Sequence, residues 1–67
     1  MTTWSIGDIV TRRNIPPKRE DWYIIEEIKH GKYHLKVLKS EILRIGTVYL
    51  FLEYRMDREF INITEKK

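Results

Sequence analysis

The side chains that could take part in chemistry are two histidines and a pair of adjacent glutamates. His30 and His34 are four residues apart, a spacing that lets both bind a metal if they lie on one helix near a third ligand. The sequence has no cysteine to supply a thiolate. Glu26 and Glu27 are expected to point to opposite faces of a strand, so they could not act on one substrate atom. We therefore expect no enzymatic role: no catalytic residues, no metal site, no cofactor and no small-molecule substrate.

Basic residues form two clusters that acidic residues separate. The first lies at the end of the first predicted strand and in the loop after it, and the second follows a predicted hairpin. If the fold brings the clusters together, their potential would suit a phosphate backbone. The candidate nucleic-acid contacts are Arg12, Arg13, Lys18, Arg19, Lys32, His34 and Lys36. The alternative is that the second cluster is the solvated face of an amphipathic strand.

The segment TVYLFLEY, residues 47–54, is apolar on both faces if it forms a strand. One face would carry Val48, Leu50 and Leu52, and the other Tyr49 and Phe51. Two outward rings spaced two residues apart form an apolar patch of the kind that marks an interface. We expect Tyr49 and Phe51 to be covered either by Trp4 and the N-terminal segment or by a protein partner or second copy.

The composition indicates one small β domain over residues 1–67. The chain has no alanine, ten isoleucines and eight aromatic residues, a profile typical of strands. The formal net charge of +3 permits a nucleic-acid partner without requiring one. The start of the chain lacks the pattern of a signal peptide, and no apolar run approaches membrane-spanning length. We expect a cytoplasmic protein with no membrane contact.

The residue pattern predicts five short strands and one helical turn. The strands are expected within 6–13, 22–28, 32–38, 47–54 and 59–64, with a proline loop over 14–21, a hairpin turn over 29–32 and a helical turn over 54–57. A competing prediction is a helix near 34–45, because apolar residues recur there at helical spacing and Gly46 could end it. That helix would make the fold α+β.

The predicted order resembles the small SH3-like barrels, the group that includes Tudor and KOW-type modules. The resemblance rests on Gly7-Asp8-Ile9-Val10, on Trp22 at the start of the second strand, on the hairpin around Gly31 and on the turn from Tyr54 to Asp57. It implies a five-stranded barrel that binds nucleic acids, peptides or proteins and is not an enzyme.

Two functions follow as hypotheses. The first is a binding module in nucleic-acid machinery that contacts the phosphate backbone through its basic loop and hairpin. The second is a protein interaction module, such as a phage-encoded modulator of a host protein, or a homo-oligomer that uses the aromatic strand face.

Overall fold

The computed structural model describes residues 4–13 and 21–64. The elements in chain order are β1 (Ile9–Arg12), β2 (Trp22–Lys29), β3 (Lys32–Lys39), β4 (Val48–Leu52), α1 (Glu53–Glu59) and β5 (Phe60–Asn62). The strands form one antiparallel sheet in the order β4-β3-β2-β1-β5. The prediction of an all-β fold with a short helical element before the last strand is confirmed. The helical element is longer than expected, at seven residues.

The competing helix near 34–45 is wrong, because residues 32–39 form β3. Tyr33, Leu35 and Val37 are buried at alternate positions, which a strand achieves by pointing successive side chains to opposite faces. We call the face of the sheet that carries these three residues the core face, and the opposite face the outer face.

A tight turn joins β2 to β3 and sets their register. His30 and Gly31 both have positive φ, at 51° and 72°. Two positive φ angles in a two-residue connection match the hairpin turn whose twist fits the flanking strands. Glycine adopts this conformation without steric cost, which explains why Gly31 marked the turn in the sequence.

The pairing of β2 with β3 is interrupted at Glu26. Ile25 pairs with Leu35 and Glu27 pairs with His34, so Glu26 is an extra residue on β2. Such a bulge shifts the alternation of side chains beyond it. The sequence-based expectation that Glu26 and Glu27 point to opposite faces is therefore wrong, since both are exposed beside outer-face side chains of β3.

The core lies between the core face of the sheet and α1. Its buried residues are Trp4, Val10, Tyr23, Ile25, Tyr33, Leu35, Val37, Met56 and Phe60. Met56 anchors α1, because its side chain has no exposed surface. Trp4 is buried here too, and its indole N–H donates a hydrogen bond of 2.7 Å to Oδ1 of Asp57.

Two sequence-based expectations concern features of the chain beyond the sheet. The proline loop, with Lys18 and Arg19, falls largely within 14–20 and so lies outside the described residues. Within 4–13 and 21–64, no helix has the length and apolar character needed to cross a membrane.

Candidate functional site

The two apolar faces of β4 have the opposite orientation to the one predicted. Tyr49 pairs with Leu35 and Phe51 pairs with Tyr33, and directly opposed residues share a face of the sheet. Both rings therefore lie on the core face, and the prediction that they point outward is wrong. The alternate residues of β4 are the ones that face outward.

The cover over Phe51 comes from the last strand and from α1. Its ring meets the buried Phe60 ring edge to face with centroids 5.0 Å apart. The guanidinium carbon of Arg55 lies 5.0 Å from the centroid of the Phe51 ring. Phe51 also packs against the core cluster to which Trp4 belongs.

Tyr49 is less covered than Phe51 and borders a small cleft. The tyrosine keeps 36% of its surface exposed. The cleft has a volume of about 100 Å³ and is lined by Arg12, Tyr23, Leu43, Tyr49 and Phe51. Burial, followed by the charge of Asp21, raises the pKa of the Tyr23 hydroxyl, so this group stays a neutral donor near neutral pH. The cleft could hold one side chain of a bound molecule.

The outward residues of β4 form an exposed apolar row. Val48, Leu50 and Leu52 keep 42%, 56% and 45% of their surface exposed. Across the ladder they lie beside Lys36, His34 and Lys32 of β3. Sequence reasoning named this row but assigned it to the core.

The same three residues carry the backbone groups that β3 does not use. The amide of Glu53 donates to the carbonyl of Gly31, and the amide of Val37 donates to the carbonyl of Thr47. In an antiparallel ladder, such hydrogen-bonded pairs recur at every second residue. The odd-numbered residues of β4 therefore bond to β3, and Val48, Leu50 and Leu52 direct their amides and carbonyls away from it.

These backbone groups lie at an edge of the sheet. Among the described residues β4 has β3 as its one neighbouring strand. The carbonyl of Leu52 is the exception, since Leu52 is the N-cap of α1 and its carbonyl accepts the first helical hydrogen bond. We call the outward side chains and backbone groups of Val48, Leu50 and Leu52 the β4 edge.

The predicted basic stripe on β3 is partly neutralised. Nζ of Lys36 lies 3.7 Å from Oε2 of Glu26, and Nε2 of His34 lies 3.9 Å from Oε1 of Glu27. Three of the four side chains are about half exposed and that of His34 is partly exposed, and pairs near the surface contribute little to stability. Lys32 is exposed near the turn. The pairs weaken the positive potential that a phosphate backbone would meet on this face.

Arg12, from the other predicted basic cluster, lies on the core face instead. Its Nη2 is 2.8 Å from Oε1 of Glu59. Nε of Arg55 is 2.7 Å from Oε2 of the same carboxylate. The hydrogen bond from Arg55 is the main reason that the pKa of Glu59 is lowered. One carboxylate thus joins β1 to α1, and the two arginines hold fixed positions over the aromatic core.

Arg12 and the β3 stripe consequently lie on different faces of the sheet. Arg12 pairs with the buried Phe60 across the β1–β5 ladder, whereas His34 lies opposite the outward Leu50. Arg13 donates from Nε to the carbonyl of Phe60 at 3.2 Å. Arg12 therefore does not share a face of the sheet with the β3 stripe.

His30 and His34 do not come together with a third ligand. His30 is in the turn, and His34 faces the outer side of β3. Across residues 4–13 and 21–64, no group of three histidine, aspartate or glutamate side chains is arranged to hold a metal ion.

Comparison with protein-family models, with curated proteins and with solved structures gave no match to this chain.

Proposed function

We propose that the protein is a non-enzymatic interaction module that binds an extended segment of a protein along the β4 edge. The observation that carries the proposal is the coincidence, on Val48, Leu50 and Leu52, of exposed apolar side chains and backbone groups that β3 leaves unused. Addition of a strand would satisfy both, because main-chain hydrogen bonds give affinity and alternate side chains give specificity.

The composition of β4 supports this proposal. Sheet edges are commonly protected by charged residues, by proline, by bulges or by being very short. β4 has five residues, VYLFL, with no charge and no proline, and its pairing with β3 has no register shift. The opposite edge strand, β5, is three residues long. The two edges therefore differ, and β4 is the one suited to pairing.

The cleft beside Tyr49 gives the added strand a second contact. An added strand would place alternate side chains on the core face of the sheet, next to Tyr49 and Phe51. Arg12 and Tyr23 line the same cleft. The favoured ligand is an extended segment that places apolar residues on the outer face of the sheet and one side chain, on the core face, in this cleft.

Selection from a library of random extended peptides tests the proposal. We expect enriched peptides to bind the protein and to shift the amide NMR signals of Val48, Leu50 and Leu52 most strongly. Leu50→Lys should abolish binding, because it places a charge on the apolar row. Ile61→Lys is the matched control, since Ile61 is a 41% exposed apolar residue on the other edge strand. Peptides that bind Leu50→Lys as well as the unaltered protein would contradict the proposal.

We also propose, as a second candidate, that the β2–β3 hairpin binds nucleic acid. The observation that favours it is the register that places Lys29 opposite Lys32 at the exposed end of the hairpin. The resemblance to SH3-like barrels supports either kind of ligand.

Titration with labelled single- and double-stranded DNA and RNA at two salt concentrations tests this second candidate. Binding through phosphates should weaken at the higher salt, and Lys32→Gln should lower the affinity for all sequences alike. Absence of binding at low salt would rule out the hairpin as a phosphate-binding surface.

A further inference from the structure

We propose that a second copy of this chain binds the β4 edge, forming a two-fold symmetric dimer with Leu50 facing Leu50 of the partner. The inference rests on the proposed function, because it uses the same edge and names the partner. Symmetric dimers place the same surface patch of both subunits in contact, so the patch must be complementary to itself. The β4 edge meets this condition in its backbone and on both faces of the strand.

The backbone groups limit the antiparallel registers that a second copy can adopt. Only even-numbered residues of β4 direct their amides and carbonyls outward, so the new hydrogen-bonded pairs must join even-numbered residues. Centring the axis on Leu50 pairs Leu50 with itself and Val48 with Leu52 of the other copy. The amides of Leu50 and Leu52 then donate to the carbonyls of Leu50 and Val48. Two such bonds in each direction give four in the dimer, without using the Leu52 carbonyl that starts α1.

The side chains agree with that register on both faces. On the outer face, the exposed Val48, Leu50 and Leu52 would form three apolar cross-strand pairs. On the core face, Tyr49 of each copy would pair with Phe51 of the other. Aromatic and branched cross-strand pairs stabilise a sheet beyond its backbone hydrogen bonds.

No like charges are brought together in the paired strands. The residues that flank the pairing are Thr47 and Glu53, which lie opposite each other in this register. A shift of the axis by half a residue would place outward backbone groups opposite groups that already bond to β3. A shift by one residue, to Tyr49 or Phe51, would leave Leu52 or Val48 without an apolar partner from the row. The register centred on Leu50 is therefore the one that uses the whole edge.

The size of the contact sets the expected strength. Pairing of two five-residue strands with their exposed side chains would bury roughly 1,000 Å² in total, at the low end for specific interfaces. We expect a reversible dimer with a dissociation constant in the micromolar range. Monomer and dimer should therefore both be present over an accessible range of concentrations.

Sedimentation equilibrium over a range of concentrations tests the dimer directly. The unaltered protein should shift from monomer to dimer as its concentration rises. Leu50→Lys should weaken dimerisation by at least about 100-fold, because two unpaired charges meet on the axis. Ile61→Lys should dimerise as the unaltered protein does. Circular dichroism of both variants should be unchanged, since both positions are exposed.

A charge-complementation experiment tests the register. Leu50→Lys and Leu50→Glu should each be monomeric, but an equimolar mixture should form a heterodimer, because position 50 meets position 50 only when the axis passes through it. Amide exchange in the unaltered protein needs no variant: the Leu50 amide should become more protected as concentration rises, while the Tyr49 amide, which bonds to β3, stays protected throughout.

The outcomes separate this inference from the function on which it rests. Two results would overturn the Leu50-centred dimer. One is a protein that stays monomeric at millimolar concentration. The other is a failure of the mixed variants to associate although the unaltered protein dimerises. In that case the peptide selection decides the proposed function on its own. A monomer that still binds selected peptides through Leu50 keeps the interaction edge and loses the second copy as its partner.

Discussion

Replacement of Phe60 by leucine should measure how much the aromatic core contributes to stability. The Phe60 ring is fully buried and meets two rings edge to face, Tyr23 at 5.6 Å and Phe51 at 5.0 Å. Each such pair contributes about 0.5–1.5 kcal/mol beyond the area it buries. Leucine keeps most of the apolar contact but loses both ring pairs. We expect the free energy of unfolding to fall by about 1–3 kcal/mol.

This loss is large compared with the total. At about 0.05–0.15 kcal/mol per residue, a 67-residue chain has roughly 3–10 kcal/mol of stability. Phe60→Leu should therefore lower the melting temperature by at least about 4 °C. Phe60→Ala, which costs about 3–5 kcal/mol, should destabilise the protein more than Phe60→Leu does.

Urea unfolding followed by tryptophan fluorescence gives the measurement, since Trp4 is buried in the same core. Ile61→Leu is the matched control, because it also introduces a leucine, at the adjacent position and on the exposed face of β5. The control should change stability by less than about 0.5 kcal/mol. Equal effects of Phe60→Leu and Ile61→Leu would refute the view that the ring contacts organise the core.

Three further predictions concern the turn, a carboxylate and the buried indole. Gly31→Ala should lower the free energy of unfolding, measured by thermal unfolding, by about 1–2 kcal/mol. The cost is backbone strain, because φ is +72° and no neighbouring atom lies near the added Cβ. Gly31→Asn should cost less. Arg55 lowers the Glu59 pKa, so this carboxylate stabilises the fold above its unfolded pKa and the contribution is lost as pH falls through the folded value. Urea midpoints between about pH 2 and 6 should show a shallower acid decline in Glu59→Gln, and an unchanged decline would contradict the pairing. Trp4→Phe should lower the free energy of unfolding by about 1–2 kcal/mol, because the hydrogen bond to Asp57 is lost, whereas Asp57→Asn, which keeps an acceptor, should lose less.

The strands with clear alternation could be predicted from the sequence, and β4 could not be oriented. In β3, apolar residues at 33, 35 and 37 alternate with polar ones, and the strand and its buried face follow directly. In β4 both faces are apolar, so the pattern does not say which face is buried. The register with Leu35 decides it, and that register depends on the path of the chain between β3 and β4.

The ion pairs could not be predicted from the local sequence pattern, for a different reason. Arg12 and Glu59 are 47 residues apart and meet because β1 pairs with β5. Glu26 reaches Lys36 because a bulge shifts the alternation of β2. Neither event leaves a signal in the spacing of residues, so the basic clusters were assigned more free charge than the structure gives them.

The pairing of β1 with β5 constrains when the protein can fold during synthesis. Phe60 is fully buried in the core, yet it belongs to β5, the last strand among the described residues, and pairs with Arg12 of β1. A nascent chain therefore cannot complete its core until Phe60 has left the ribosome. The pairing of β1 with β5 is long-range, so it can form only after the intervening residues have been synthesised. Until then the apolar residues of β2, β3 and β4 remain accessible to chaperones and to one another.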